Sequence, residues 1–151
     1  MIFEGDGGRL LEVIAAVNIR LGKLARMILK KHGLTYSQFG ALLVLTRCDG
    51  INQKELSKYL ETDTTNTMVI CEGLEKKGLI ERHQSDEDRR SNILSITPLG
   101  SELFEKSLPD LAQIYVPVMS ALNTEETKST TENLQKLLNE VDLLLSNNYS
   151  K

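Results

Sequence analysis

The chain has 151 residues, 40% hydrophobic and 26% charged, with a formal net charge of −3 and no tryptophan. That composition describes one soluble globular domain, 1–151, with a leucine-built helical core, and not a disordered chain. The longest aliphatic run, Ala41 to Leu45, is far too short for a membrane span. The opening MIFEGDGGRL lacks the basic-then-apolar pattern of a signal peptide, so the expected location is cytoplasmic.

The first helix is expected over 9–31. Its apolar residues Leu10, Ile14, Val17, Leu21, Leu24 and Ile28 fall on one face, and Leu11, Val13, Ile19 and Leu29 widen it. So broad a stripe predicts more than one neighbour. Gly33 supplies the stop. Thr35-Tyr-Ser-Gln38 is a capping box that opens a second helix, with Phe39, Leu42 and Leu45 turned inward, and Asp49-Gly50 breaks it. Asn52-Gln-Lys-Glu55 is a second capping box, opening a short helix on Leu56 and Leu60. After a turn, Thr62 or Asp63 caps a helix over 64–77 whose buried face is Thr67, Ile70, Cys71 and Leu74. Gly78 closes it behind two lysines that suit the helix dipole.

Two short helices joined by a tight turn form a helix–turn–helix. Next come Leu79-Ile80, a charged tip from Ser85 to Arg90, and the alternating Asn92–Ile96, which together predict a β-hairpin. A hairpin in that place makes the unit over 35–97 a winged helix, whose usual work is reading double-stranded DNA. Pro98 then stands at a first helical position. A helix over 99–122, bent or interrupted near Pro109 and Pro117, is expected. The last helix starts at Thr124, and its stripe is Leu134, Leu137, Leu138, Val141, Leu144 and Leu145. The long helices over 9–31 and 99–147 carry more apolar surface than the small winged unit covers. A twofold homodimer that buries the surplus follows.

Two cysteines, Cys48 and Cys71, and two histidines, His32 and His83, make neither a disulfide framework nor a metal cluster. Buried thiols are the expected reading, with a redox switch as the sharper one. No nucleophile is paired with a base and no phosphate-cradling glycine loop is present, so neither an enzyme nor a cofactor is expected. Net charge is unevenly spread: residues 50–97 hold seven Lys and Arg against nine Asp and Glu, while residues 1–49 hold seven against four. The DNA-reading segment is therefore not basic overall.

In their order and spacing, the motifs over 35–104 resemble the MarR (multiple antibiotic resistance regulator) family of dimeric winged-helix transcription factors. They are Thr35-x-x-Gln38-Phe39, Glu55-Leu56-Ser57-x-x-Leu60, Leu74-Glu75-Lys76-Lys77-Gly78-Leu79-Ile80-Glu81-Arg82, Asp86-x-Asp88-Arg89-Arg90 and Ile96-Thr97-x-x-Gly100. The resemblance implies a fold that is mainly α with a small β-hairpin wing, flanked by N- and C-terminal dimerisation helices. It further implies a repressor on a near-palindromic operator, relieved by a small aromatic or anionic effector or by oxidation. By that likeness the helix over 64–77 enters the major groove and Arg90, braced by Asp88, reaches the minor groove. Arginine suits a narrow minor groove on physical grounds too, because the negative potential is enhanced there.

The recognition face departs from the family pattern. It offers Thr64, Thr65, Asn66, Met68, Val69 and Glu72 where arginine or lysine is common. Hydroxyls suit phosphates or bases, Asn66 suits adenine, and Met68 or Val69 suits a thymine methyl, so an A·T-leaning site with a shallow salt dependence is expected. Lys54, Lys58, Lys76 and Arg82 are candidates for the DNA backbone, and Arg89 stands beside Arg90 on the wing. For the effector, Arg20, Tyr36 and Tyr115 are expected to line a cleft between the dimer helices and the winged unit. The competing reading is a winged-helix protein-interaction module with weak or lost DNA reading, which the acidic balance and arginine-poor helix would suit.

Overall fold

A computed structural model describes residues 5–84 and 92–148. The order of elements is α1 (Asp6–Lys31), α2 (Tyr36–Arg47), β1 (Ile51–Asn52), α3 (Gln53–Tyr59), α4 (Thr64–Glu75), β2 (Ile80–Gln84), β3 (Asn92–Ile96), α5 (Pro98–Met119) and α6 (Thr124–Asn148). The chain forms two compact units, residues 1–114 and 115–151.

The first unit owes its shape to its caps. Gly33, at φ 68°, ends α1: its N–H bonds the Lys30 carbonyl at 3.1 Å and the Leu34 N–H bonds the Leu29 carbonyl at 3.0 Å. A left-handed residue is needed at that corner, and glycine takes it without steric cost. The next helix opens two residues later on the Thr35–Gln38 capping box, in which each residue's side chain accepts from the other's backbone N–H. The Asn52–Glu55 box opens α3 in the same way, with both bonds at 2.9 Å. Such caps each stabilise a helix by about 1 kcal/mol.

The core that these corners enclose is Ala25 and Leu29 of α1, Ala41, Leu42 and Leu45 of α2, Leu56 of α3, Cys71 and Leu74 of α4, and Leu94 of β3. None of these side chains has accessible surface. Phe39 stacks on Phe104 at 5.2 Å between centroids, and His32 Nε2 lies 2.9 Å from Asp110 Oδ2; both contacts hold α5 to the α1–α2 corner.

Four expectations need correction. The sheet has three antiparallel strands in the order β1-β3-β2, not two. Its third strand is only Ile51-Asn52, which pairs Ile51 with Leu94 and Asn52 with Ile93 and is too short to show a period. The first helix begins at Asp6, through the Gly7-Gly8 pair, where the Asp6 carboxylate favours the first turn. Of the two alternatives at Pro109 and Pro117, bend or interruption, interruption is not found: helix α5 runs unbroken through both. Each proline removes one N–H, and the remaining bonds of the turn carry the helix across the gap. The helix over 64–77 ends two residues early, at Glu75, with Lys76 as its cap.

The predicted hairpin is present, with β2 and β3 paired in register from Ile80–Ile96 to Gln84–Asn92. In the second unit, α6 opens on a capping box of Asn123 and Glu126, with bonds of 2.9 and 3.0 Å. No residue of α6 over 124–147 is buried, and its apolar stripe is 39–61% exposed.

Candidate nucleic-acid interface

Helix α4 sorts its residues by face. Thr67, Cys71 and Leu74 are buried and Ile70 is half-buried, while Thr64, Thr65, Asn66, Met68, Val69 and Glu72 are exposed, Val69 to 61%. The turn before it passes through Glu61 at φ 50°, a left-handed conformation that costs a non-glycine residue about 1 kcal/mol. Asp63 is the N-cap. Its Oδ1 accepts from the Asn66 N–H at 2.7 Å, and its Oδ2 accepts from Asn66 Nδ2 at 2.7 Å. Thr67 turns its hydroxyl back to the Asp63 carbonyl at 2.9 Å, which satisfies a polar side chain that has no exposed surface.

Both ends of α4 are braced from outside the helix. Arg82 of β2 donates from Nε to Glu75 at 2.9 Å and from a terminal nitrogen to Gln53 Oε1 at 3.2 Å. Gln53 in turn donates to the Thr64 carbonyl at 3.2 Å. One arginine thus links the wing strand, α3 and both ends of α4. Lys77 donates to the Gly33 carbonyl at 2.6 Å and to Gln38 Oε1 at 2.7 Å, tying the far end of α4 to the α1–α2 corner. Gly73 permits this approach, because a Cβ there would stand 2.6 Å from Gln38 Nε2. Arg82, expected at the phosphates, has two of its three nitrogens engaged inside the fold. Lys54, Lys58 and Lys76 are exposed. Asp88, Arg89 and Arg90 lie outside the described residues.

Beside this face a cleft of about 380 Å³ runs between α2, the end of α3 and α4. It is lined by Tyr36, Ser37, Gly40, Leu60, Thr62, Asn66, Val69 and Ile70. Tyr36 is on its wall, and Arg26 stands over the Tyr36 ring, 6.0 Å from the centroid. Six residues of helix carry Arg20 about 240° round from Arg26. Arg20 is exposed on α1, and Tyr115 is half-buried in the second unit.

Of the cysteines, Cys71 is fully buried, and burial pushes its thiol up to about 11, so it stays protonated at neutral pH. Cys48 is half-buried, with its thiol 3.9 Å from the Tyr59 hydroxyl; that contact is the largest cause holding the Tyr59 phenol above its ordinary range. Among the described residues no His, Cys, Asp and Glu cluster could hold a metal, and no helix is long and apolar enough to cross a membrane.

Residues 32–91, from just after α1 to just before β3, match the MarR family model. YdcH, an uncharacterized HTH-type transcriptional regulator of Bacillus subtilis, is 31% identical over 117 residues, covering 73% of this chain and 76% of its own length. The chain belongs to the MarR family. The transcriptional repressor MprA of Escherichia coli K12 is 36% identical over 117 residues, which cover 76% of this chain and 66% of that repressor, just under two thirds of its length. A mutant MarR from E. coli, solved in complex with operator DNA, superposes with a TM-score of 0.76 at 25% identity, covering 86% of this chain and 94% of that one. The winged-helix, mainly helical architecture expected of a MarR-family chain is therefore the one it adopts.

The sequence reading missed Gln53, Glu75 and Arg26. Gln53 and Arg82 stand far apart along the chain, and no local pattern signals their contact. Asp63 was visible only as one of two cap candidates.

Proposed function

We propose that this MarR-family chain is a homodimeric, cytoplasmic transcriptional repressor whose α4 helices enter successive major grooves of a near-palindromic operator. The observation that carries this reading is the face of α4, held at both ends by Arg82 and Lys77 and exposed among the described residues. Phosphate contacts are assigned to Lys54, Lys58 and Lys76, and minor-groove contact to Arg90, with Asp88 bracing it and Arg89 beside it. Arg82 acts mainly as the brace. The two units work as one domain in which α1, α5 and α6 make the dimer.

Selection of binding sites from random duplex DNA tests this directly. The expected product is a palindrome with half-sites one turn, about 34–36 Å, apart. Arg90→Ala should weaken binding at least about tenfold while thermal unfolding stays unchanged. Equal binding by the variant would remove the wing assignment. The exposed Glu72 on the groove side favours the second reading, a winged-helix protein-interaction module. Absence of any mobility shift at low salt would select that one.

The effector reading rests on the cleft. Its walls are mainly apolar, Tyr36 offers a ring to stack on, and Arg26 stands over that ring, so a small aromatic carboxylate fits. Here Arg26 takes the part expected of Arg20. Because Asn66 and Val69 belong both to the cleft and to the reading face, an occupant competes with DNA. Benzoate titrated into the DNA complex should release duplex, and Arg26→Ala should raise the concentration required. Release that is insensitive to Arg26 and Tyr36 would place the effector elsewhere.

A further inference from the structure

We infer that Asn66 is the residue with which α4 reads adenine and that Asp63 is the positioning residue that aims it. The inference rests on α4 being the groove-entering helix and adds the device that aims Asn66 at the base its amide suits.

An exposed asparagine ordinarily samples several rotamers, and its amide can face either way. Here one carboxylate closes two bonds on the same residue, to the Asn66 backbone N–H and to Nδ2, both at 2.7 Å. Only the NH₂ end of an amide can face a carboxylate, so the orientation of Asn66 is decided. The Nδ2 hydrogen that Asp63 takes is the one pointing back towards the backbone, because the same carboxylate also holds the backbone N–H. The other Nδ2 hydrogen and Oδ1 then lie side by side, facing away from the helix.

That pair is a donor beside an acceptor. Adenine presents the complement in the major groove, an acceptor at N7 beside a donor at N6. Guanine presents two acceptors, N7 and O6, and would set its O6 against Asn66 Oδ1. Cytosine and thymine offer one polar group each at their major-groove edge. The two bonds restrict the side chain before DNA arrives, so less of its entropic cost falls on binding. The charge of Asp63 is tolerated because it lies at the N-terminus of α4, where backbone N–H groups and the helix dipole favour an anion. Gln53, bonded to the Thr64 carbonyl, holds the same turn from α3.

The test is competition for duplexes varied at every position of the selected site, using wild type, Asn66→Ala, Asp63→Asn and Asp63→Ser. Asparagine and serine are both good N-caps, so helix α4 keeps its start in the Asp63 variants while the clamp on Nδ2 is lost. The wild type should favour A·T at one position of each half-site by about tenfold or more. Asn66→Ala should flatten that position alone, and both Asp63 variants should fall most of the way to the same level with melting temperatures near wild type. A lost cap alone would weaken binding to every sequence equally and would not move this ratio. Preference unchanged in Asn66→Ala overturns the inference. Preference retained in both Asp63 variants overturns the role of Asp63. A wild type that binds no duplex overturns the regulator reading and takes this inference with it.

Discussion

Gly100→Ala should lower the thermal unfolding temperature by about 10 °C or more, the largest loss of stability expected from removing so little freedom. A Cβ at position 100 would fall on the Leu79 carbonyl oxygen, and would stand 2.9 Å from Ile96 Cγ1 and 3.0 Å from the Leu79 carbonyl carbon. The obstacle is backbone and cannot rotate aside. That same carbonyl accepts from the Thr97 N–H at 3.1 Å. The Thr97 hydroxyl donates to the Gly78 carbonyl at 2.7 Å and accepts from the Gly100 N–H at 3.0 Å. Relieving the clash means withdrawing the first turn of α5 from the end of α4, which breaks these bonds together. Overpacking alone costs about 1–3 kcal/mol, and each lost hydrogen bond adds about 1 kcal/mol. The check is circular dichroism during heating. A shift of less than about 2 °C, worth well under 1 kcal/mol in a chain this long, would show that the turn relaxes freely. Gly73→Ala makes a useful comparison: its obstacle is the end of the Gln38 side chain, so a smaller loss is expected, and one centred on α4.

The same contrast between local and distant interactions governs what could be read from the sequence. Capping boxes declare themselves over four residues, and so Thr35–Gln38 and Asn52–Glu55 were legible, as were the stops at Gly33 and Gly78. The faces of α4 were legible because Thr67, Cys71 and Leu74 recur at helical spacing, and the exposed set follows by exclusion. Strand β1 was not, since two residues carry no alternation and Asn52 also serves as a helix cap. Continuity of α5 through Pro109 was hidden because proline marks a strong local preference that packing of Phe104, Ser107 and Leu111 overrides. Arg82 shows the limit for the site. Its position in the sequence suits a phosphate contact, and only the fold reveals Glu75 and Gln53 beside it. The contact of Arg26 with Tyr36 was not legible, because nothing in the α1 sequence says which of its cations faces that ring.

These braces also bear on the weakness of the reading face. With no arginine or lysine on the exposed face of α4, few phosphates are neutralised from the groove, and the electrostatic share of affinity is small. What remains is shape and orientation, which reward a helix that does not move. Arg82 and Gln53 hold its first turn, Lys77 and Gln38 its last, and the Asp63 carboxylate its one amide. In the proposed regulator, rigidity of the probe compensates for missing charge, and a second copy of the probe on the proposed dimer would multiply the effect through local concentration.

The second large effect concerns that dimer. Leu138→Glu combined with Val141→Glu should convert the protein to a monomer at micromolar concentration and abolish operator binding. Both residues lie on the apolar stripe of α6, which is about half exposed and has no buried residue within the chain. An isolated helix is marginal in water and draws its stability from a covered apolar face, so α6 needs a partner for its stripe. Burying one leucine or valine contributes up to about 1.5–3 kcal/mol, whereas an unpaired carboxylate in the same contact costs several kcal/mol. Around a twofold axis each substitution occurs twice, so two changes place four charges in the interface. Each monomer keeps its winged unit, whose core residues lie in the first unit, so near-native helix content below the dimer mass is the expected signature in sedimentation. Loss of DNA binding follows because one α4 helix reads one half-site, and the affinity gained by joining two is lost with the link. A double variant that still sediments as a dimer, or a wild type that sediments as a monomer, would show that α6 is covered by something other than a second copy of this chain.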